Sequence, residues 1–133
     1  MKPIRVMCVD DSEVVAESLG RRFKIEKDLE WVGWVHDTGS IRERMGESPP
    51  DVILLDVDMP GTDPFRLILE IKAVSPGTRV AMLTGHVRHE YFDRAVDSGA
   101  DGYICKDDDP STIVGHVRRL AEGEFVVSRE LGF

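Results

Sequence analysis

The chain has 133 residues, of which 41% are hydrophobic and 32% charged, and it fits one globular domain with its own core. Lys and Arg number 17 against 25 Asp and Glu, and the net charge of −8 disfavours direct binding to nucleic acid or to an anionic membrane. No apolar run has membrane-spanning length, and Cys8 and Cys105 stand alone within apolar runs. We therefore expect a protein of the reducing cytoplasm.

Short apolar runs and helical stripes alternate five times along the chain. The runs predict strands at residues 4–9, 31–35, 51–56, 79–83 and 102–105. Helical spacing of apolar residues predicts helices that begin after Ser12, near Ile41, after Asp63, near Arg88 and after Asp109. Strict alternation predicts an α/β fold with a parallel sheet covered by helices on both faces. We expect a flavodoxin-like three-layer sandwich, whose five strands lie in the order 2-1-3-4-5.

The last helix should end at Gly123. We predict one domain over residues 1–123. Residues 124–133 then form a C-terminal tail or the start of a linker to an output domain outside this sequence.

Chemically active side chains follow four of the predicted strands. Asp10 and Asp11 follow the first, Asp56 closes the third, and Thr84 and Lys106 follow the fourth and fifth. The predicted strand order places these carboxyl ends along one edge of the sheet. Crowded carboxylates repel one another unless a cation neutralises them, so the sequence predicts a divalent ion. Mg²⁺ fits better than Ca²⁺, because few protein oxygens are available.

Four motifs together resemble the receiver domain of two-component response regulators. They are 10–12 (Asp-Asp-Ser), Asp56 before 59–61 (Met-Pro-Gly), Thr84 with Gly85, and the run 99–106 that ends at Lys106. Each motif alone is weakly specific, but the resemblance covers residues 4–123. The residues after 120 also resemble the join between a receiver and a helix-turn-helix domain in one class of transcriptional regulators.

The resemblance implies a function for each motif. Asp56 would accept a phosphoryl group from the phosphohistidine of a sensor kinase or phosphotransfer protein, with Thr84 and Lys106 holding the phosphoryl oxygens. Asp11 and Asp56, with the backbone carbonyl of Asp58, would bind Mg²⁺ directly, and Asp10 would contribute to the site largely through water. Mn²⁺ is an alternative ion. Thr84 and Tyr103 would form a switch, read out on the face of the fourth helix, fifth strand and fifth helix. The same face would serve a homodimer.

Two departures from the family pattern leave alternatives open. Asp58 and His86 stand where the family tunes phosphoryl lifetime, and they either position the attacking water or repel it. Many members have Pro after the Lys, whereas residues 107–109 are an acidic run, which is expected to weaken or reorient Lys106. The resemblance implies a self-catalysed signalling phosphoacceptor rather than a dedicated enzyme.

Two other functions compete with this one. The pair Asp56 and Asp58 imitates the nucleophile and general acid of haloacid-dehalogenase-like phosphohydrolases, but that family places its metal acids last in the chain. A receiver fold that takes no phosphate and acts only as a docking module is the third alternative.

Overall fold

The computed structural model describes residues 2–36, 41–46, 48–85 and 89–128. The strands are β1 (Ile4–Val9), β2 (Leu29–Val35), β3 (Val52–Asp56), β4 (Arg79–Thr84), β5 (Gly102–Cys105) and β6 (Val126–Val127). The helices are α1 (Glu13–Ile25), α2 (Ile41–Gly46), α3 (Pro64–Val74), α4 (His89–Asp97) and α5 (Pro110–Ala121). Within the described ranges, no helix is both long enough and apolar enough to span a membrane.

The six strands form one parallel sheet in the order β2-β1-β3-β4-β5-β6. The predicted order is confirmed for the first five strands. The predicted number of strands was one too low, because Val126 and Val127 pair with Gly102 and Tyr103 and add β6 at the edge. Two residues are too few to show the alternation by which a strand is recognised in sequence, so β6 was indistinguishable from a tail.

Each face of the sheet has its own core and its own helices. On one face α2, α3 and α4 contribute Ile41, Ile68 and Ala95. On the other face α1 and α5 contribute Phe23 and Val117. Every residue of β3 is buried, as expected for a central parallel strand covered on both sides.

Side-chain caps begin three helices directly after the loops at the carboxyl edge. Ser12, Asp63 and Asp109 accept hydrogen bonds from backbone N–H groups in the first turns of α1, α3 and α5. Pro64 and Pro110 occupy the first helical positions after the two Asp caps, where a missing N–H costs nothing. These predicted caps are confirmed.

β2 contains a β-bulge. From Val6 to Cys8 β1 advances by two residues, whereas the paired segment of β2 advances by three, from Trp31 to Trp34. Gly33 lies in the bulge with a φ of 131°, a conformation that favours glycine. The extra residue places both indoles on the same face of the sheet, which regular alternation would not do.

Candidate functional site

The carboxyl ends of β1, β3, β4 and β5 meet at one edge of the sheet, as predicted. Thr84 closes β4 and pairs with Cys105, the last residue of β5. The N–H of Lys106 donates to the carbonyl of Thr84 at 2.8 Å. Asp56 closes β3 beside β4, where it pairs with Leu83.

Two carboxylates and one ammonium form the buried centre of this edge. Asp10 is 0% exposed and Asp56 is 1% exposed. Lys106 Nζ lies 2.8 Å from Asp56 Oδ1 and 3.4 Å from Asp10 Oδ2. The backbone carbonyl of Asp10 accepts a hydrogen bond of 2.5 Å from the indole N–H of Trp34, which anchors the first loop to β2.

Each buried carboxylate has one oxygen that accepts a backbone N–H and one oxygen that accepts no hydrogen bond from a described residue. Asp10 Oδ1 accepts from the N–H of Ser12 at 2.8 Å, and Asp56 Oδ1 accepts from the N–H of Asp58 at 2.9 Å. Oδ2 of Asp10 and Oδ2 of Asp56 are buried and accept no hydrogen bond from the described part of the chain. Lys106 forms an ion pair with Asp10 Oδ2 at 3.4 Å, but neither Oδ2 atom accepts a hydrogen bond, and buried oxygens in this state are expected to lie beside a further ion or ordered water.

Asp11 completes a cluster that suits a hard cation. Asp10, Asp11 and Asp56 each offer one carboxylate oxygen, and these oxygens all lie within 4.8 Å of one another. Asp11 is exposed, whereas the other two are buried, so the cluster opens to water on one side. Three carboxylates against the single ammonium of Lys106 leave negative charge that a divalent cation with oxygen ligands neutralises. The residues present therefore fit the predicted Mg²⁺ site.

Burial and charge act on the proton equilibria of the cluster. The pKa of Asp10 is raised to about 6, chiefly by burial and also by the charge of Asp56, against the opposing effects of the Ser12 N–H and of Lys106. Burial alone would lower the pKa of Lys106, but its hydrogen bond to Asp56 and the negative charges nearby raise it overall. Lys106 is therefore a permanent cation at neutral pH. Burial, followed by the same two carboxylates, also raises the pKa of the Cys8 thiol, which stays protonated.

The two predicted switch residues face the same side of the sheet. Thr84 pairs with Cys105, and Tyr103 lies two residues before Cys105 in β5. Thr84 is 1% exposed and Tyr103 is 0% exposed. The Tyr103 ring contacts Phe92 of α4 edge to face, with ring centroids 5.8 Å apart. In this structure the aromatic side chain of β5 is thus directed inward.

Residues 6–118 match the family of the response regulator receiver domain. The chain belongs to this family. It is 35% identical over 128 residues to the response regulator protein VraR of Staphylococcus epidermidis, covering 96% of this chain and 61% of VraR. It is 30% identical to the Fimbriae Z protein of Salmonella typhimurium, covering 100% of this chain and 64% of that protein. The receiver domain therefore spans less than two thirds of the length of these curated relatives.

Solved structures agree with this membership. A two-component response regulator of the LuxR family from Aurantimonas is 25% identical, with a TM-score of 0.89 over 98% of this chain and 93% of that one. The response regulator domain of Thermotoga maritima CheB is 25% identical, with a TM-score of 0.80 over 91% of this chain and 98% of that one. The predicted three-layer fold is confirmed by these similarities.

The structure places only one of the two residues that were predicted to tune phosphoryl lifetime. Asp58 is exposed in the turn after β3, and its backbone N–H donates a hydrogen bond to Asp56 Oδ1. His86 lies outside the described residues of this receiver domain. The proposed roles of both in phosphoryl lifetime stay predictions.

Sequence reasoning missed a second polar cluster beside Lys106. Asp108 Oδ2 accepts a hydrogen bond from Ser128 Oγ at 2.6 Å and lies 3.2 Å from His116 Nε2. Asp108 lies before the cap of α5 and His116 lies within the helix, eight residues later, so their separation was only a weak signal in the sequence. The sequence did not predict a role for Ser128, because only the pairing of β6 with β5 brings this residue close to Asp108.

Proposed function

We propose that this receiver domain accepts a phosphoryl group on Asp56 from the phosphohistidine of a sensor kinase or phosphotransfer protein, in an Mg²⁺-dependent reaction. The observation that carries the proposal is the state of the Asp56 carboxylate. It is buried, Lys106 and the N–H of Asp58 hold one of its oxygens, and the other oxygen has no donor among the described residues.

This arrangement orients a nucleophile. Two donors on Oδ1 fix the plane of the Asp56 carboxylate, which leaves Oδ2 as the acceptor oxygen. That oxygen attacks phosphorus as the P–N bond breaks, and the imidazole departs with the electron pair of that bond. Lys106 and Thr84 lie at the same edge, and in this proposal they hold the oxygens of the transferred group.

The acidic cluster would hold the required ion. Asp10, Asp11 and Asp56, with the backbone carbonyl of Asp58, are the proposed ligands of Mg²⁺, and Mn²⁺ suits the same oxygen donors. When bound, such an ion supplies charge neutralisation for the phosphoryl oxygens and the carboxylates around them.

The output of the proposed reaction is a population shift. Contact of Thr84 with the phosphoryl group would favour the inward position of Tyr103, which is the position in this structure, and so stabilise one arrangement of the face formed by α4, β5 and α5. That face is the proposed surface for homodimerisation. The curated relatives are longer than this chain, so an output function like theirs is only a proposal for this protein. A cytoplasmic location is likewise a proposal.

Phosphorylation with a small donor tests the function directly. We expect phosphoramidate with Mg²⁺ to add one phosphoryl group to the wild type, measured by intact-protein mass spectrometry, and EDTA to prevent the addition. Asp56→Asn should add none. Asp97→Asn, which removes an exposed carboxylate on α4, is the matched control and should label like the wild type.

The alternatives give different results in the same experiment. Sustained hydrolysis of a generic phosphate ester, with many cycles per protein, would favour the phosphohydrolase. Absence of label from the folded wild type would favour the docking module. Label retained by Asp56→Asn would refute the assignment of Asp56.

A further inference from the structure

The carboxylate of Asp108 lies close in sequence to the phosphate-binding Lys106 and is itself buried. Its side chain is 1% exposed, and Oδ2 accepts the hydroxyl proton of Ser128 at 2.6 Å. His116 Nε2 lies 3.2 Å from the same oxygen. Both neighbours come from elements that follow Lys106 in the chain, one in α5 and one directly after β6. The charge of Asp108 is therefore held by the C-terminal part of the domain.

Ser128 connects the two sides of Lys106. Besides donating to Asp108, its hydroxyl oxygen accepts the N–H of Cys105 at 2.9 Å. Its own N–H donates to the carbonyl of Tyr103 at 3.1 Å. Ser128 is 1% exposed, so water does not replace these contacts. A single hydroxyl thus bonds the residue before Lys106 and a residue two positions after it.

Lys106 and Asp108 line the same cleft between α1 and α5, which has a volume of about 220 Å³. A buried carboxylate that loses a donor is costly unless another donor or cation replaces it. Lys106 is a cation within the same turn, and at present it pairs with Asp56 and Asp10. Without the hydroxyl of Ser128, Asp108 would compete with Asp56 for this ammonium.

We infer that Ser128 is a positioning residue for phosphoryl transfer. It holds the carboxylate of Asp108, with His116, and so keeps Lys106 paired with Asp56 despite the acidic run that follows the lysine. The inference rests on the proposed function, because it assumes that Lys106 acts on the phosphoryl group.

A double-mutant cycle tests the inference. The initial rate of labelling by phosphoramidate and Mg²⁺ is compared for the wild type, Ser128→Ala, Asp108→Asn and the double variant. We expect Ser128→Ala to label about tenfold more slowly, which corresponds to about 1.4 kcal/mol of barrier. Asp108→Asn and the double variant should label within about twofold of the wild type, because neither retains the competing carboxylate. Val127→Ala, which changes β6 without removing a partner of Asp108, should label like the wild type.

Restoration of the labelling rate by Asp108→Asn distinguishes a positioning role of Ser128 from a purely structural role. Ser128→Ala and the double variant both lose the acceptor of the Cys105 N–H, so a purely structural role predicts that both label slowly. Urea unfolding of each variant verifies that it is folded. If Ser128→Ala does not fold, His116→Ala replaces it in the cycle, since it leaves the bond to Cys105 in place. About threefold slower labelling, restored by Asp108→Asn, is then expected.

Two results overturn the inference while leaving the proposed function intact. The first is that the folded Ser128→Ala variant, or His116→Ala in its place, labels at the wild-type rate. The second is that the double variant with Asp108→Asn labels as slowly as the Ser128→Ala or His116→Ala single variant. Failure of the wild type to label refutes the proposed function, and the inference with it.

Discussion

Replacing Asp10 by Asn should make the receiver domain more stable at neutral pH when no divalent ion is present. Asp10 is buried, and only one of its oxygens accepts a hydrogen bond from a described residue. Asparagine keeps that acceptor for the N–H of Ser12 and removes the buried charge. We expect the free energy of unfolding to rise by about 1–3 kcal/mol at pH 7.

The magnitude comes from the displaced proton equilibrium of Asp10. Burial first, and the charge of Asp56 after it, raise the pKa of Asp10 from 3.8 to about 6. Each pKa unit is worth about 1.4 kcal/mol, so the shift sets a ceiling of about 3 kcal/mol. Because the pKa of Asp10 is higher in the folded state, ionisation of Asp10 costs folding nothing below pH 3.8. The cost grows as pH rises and is complete above about pH 6.

Urea unfolding followed by circular dichroism in EDTA, from pH 4 to pH 8, measures the difference between Asp10→Asn and the wild type. It should grow from pH 4 to pH 6 and then stay level. Asp11→Asn is the matched control: its carboxylate is exposed, so its effect should stay below about 0.5 kcal/mol. Mg²⁺ should stabilise the wild type more than Asp10→Asn. A variant less stable than the wild type at pH 7 in EDTA, or a difference independent of pH, would refute the reasoning.

Two further predictions concern the packing of β6 and a surface ion pair. A Cβ on Gly102 would lie 3.1 Å from Leu120 Cδ2 and 3.2 Å from the carbonyl of Val126, so Gly102→Ala should cost about 1–2 kcal/mol in urea unfolding. Hydrogen exchange at the Val126 amide should become faster, and unchanged protection there would contradict the proposed clash. Arg118 donates two hydrogen bonds to Asp28 and thereby lowers the pKa of this exposed carboxyl. Asp28→Asn should therefore cost about 0.5 kcal/mol at pH 7, an effect that fades in 1 M salt and as acid protonates Asp28, whereas a salt-independent loss would exclude the ion pair as its cause.

The fold was predictable because its signals are local and repeated. β3 is an apolar run that ends in a carboxylate, and α3 begins with an Asp cap followed by Pro64. Alternation then restricts the topology to a parallel sheet, since sequential parallel strands need helical crossovers. The carboxyl ends of the strands meet at one edge in such a sheet, which is why Asp10, Asp56 and Lys106 could be placed together in advance.

The parts that sequence did not reveal depend on contacts distant along the chain. β6 is two residues long and exists because β5 offers an open edge. The acidic run after Lys106 indicated a weakened or reoriented lysine, but it did not indicate that Asp108 of that run contacts Ser128 and His116. No sequence pattern near Asp108 predicts its hydrogen bond to the hydroxyl of Ser128, twenty residues later.

The bulge of β2 gives the molecule two indoles with different optical environments. Trp31 packs edge to face on Phe23, with ring centroids 5.5 Å apart, and belongs to the core beneath α1. The indole N–H of Trp34 instead bonds the carbonyl of Asp10, one residue from the exposed acid of the cluster. The tryptophan fluorescence of a Trp31→Phe variant would therefore come from Trp34 alone. Titration with Mg²⁺ would then report on the acidic cluster through a native side chain, without an attached dye.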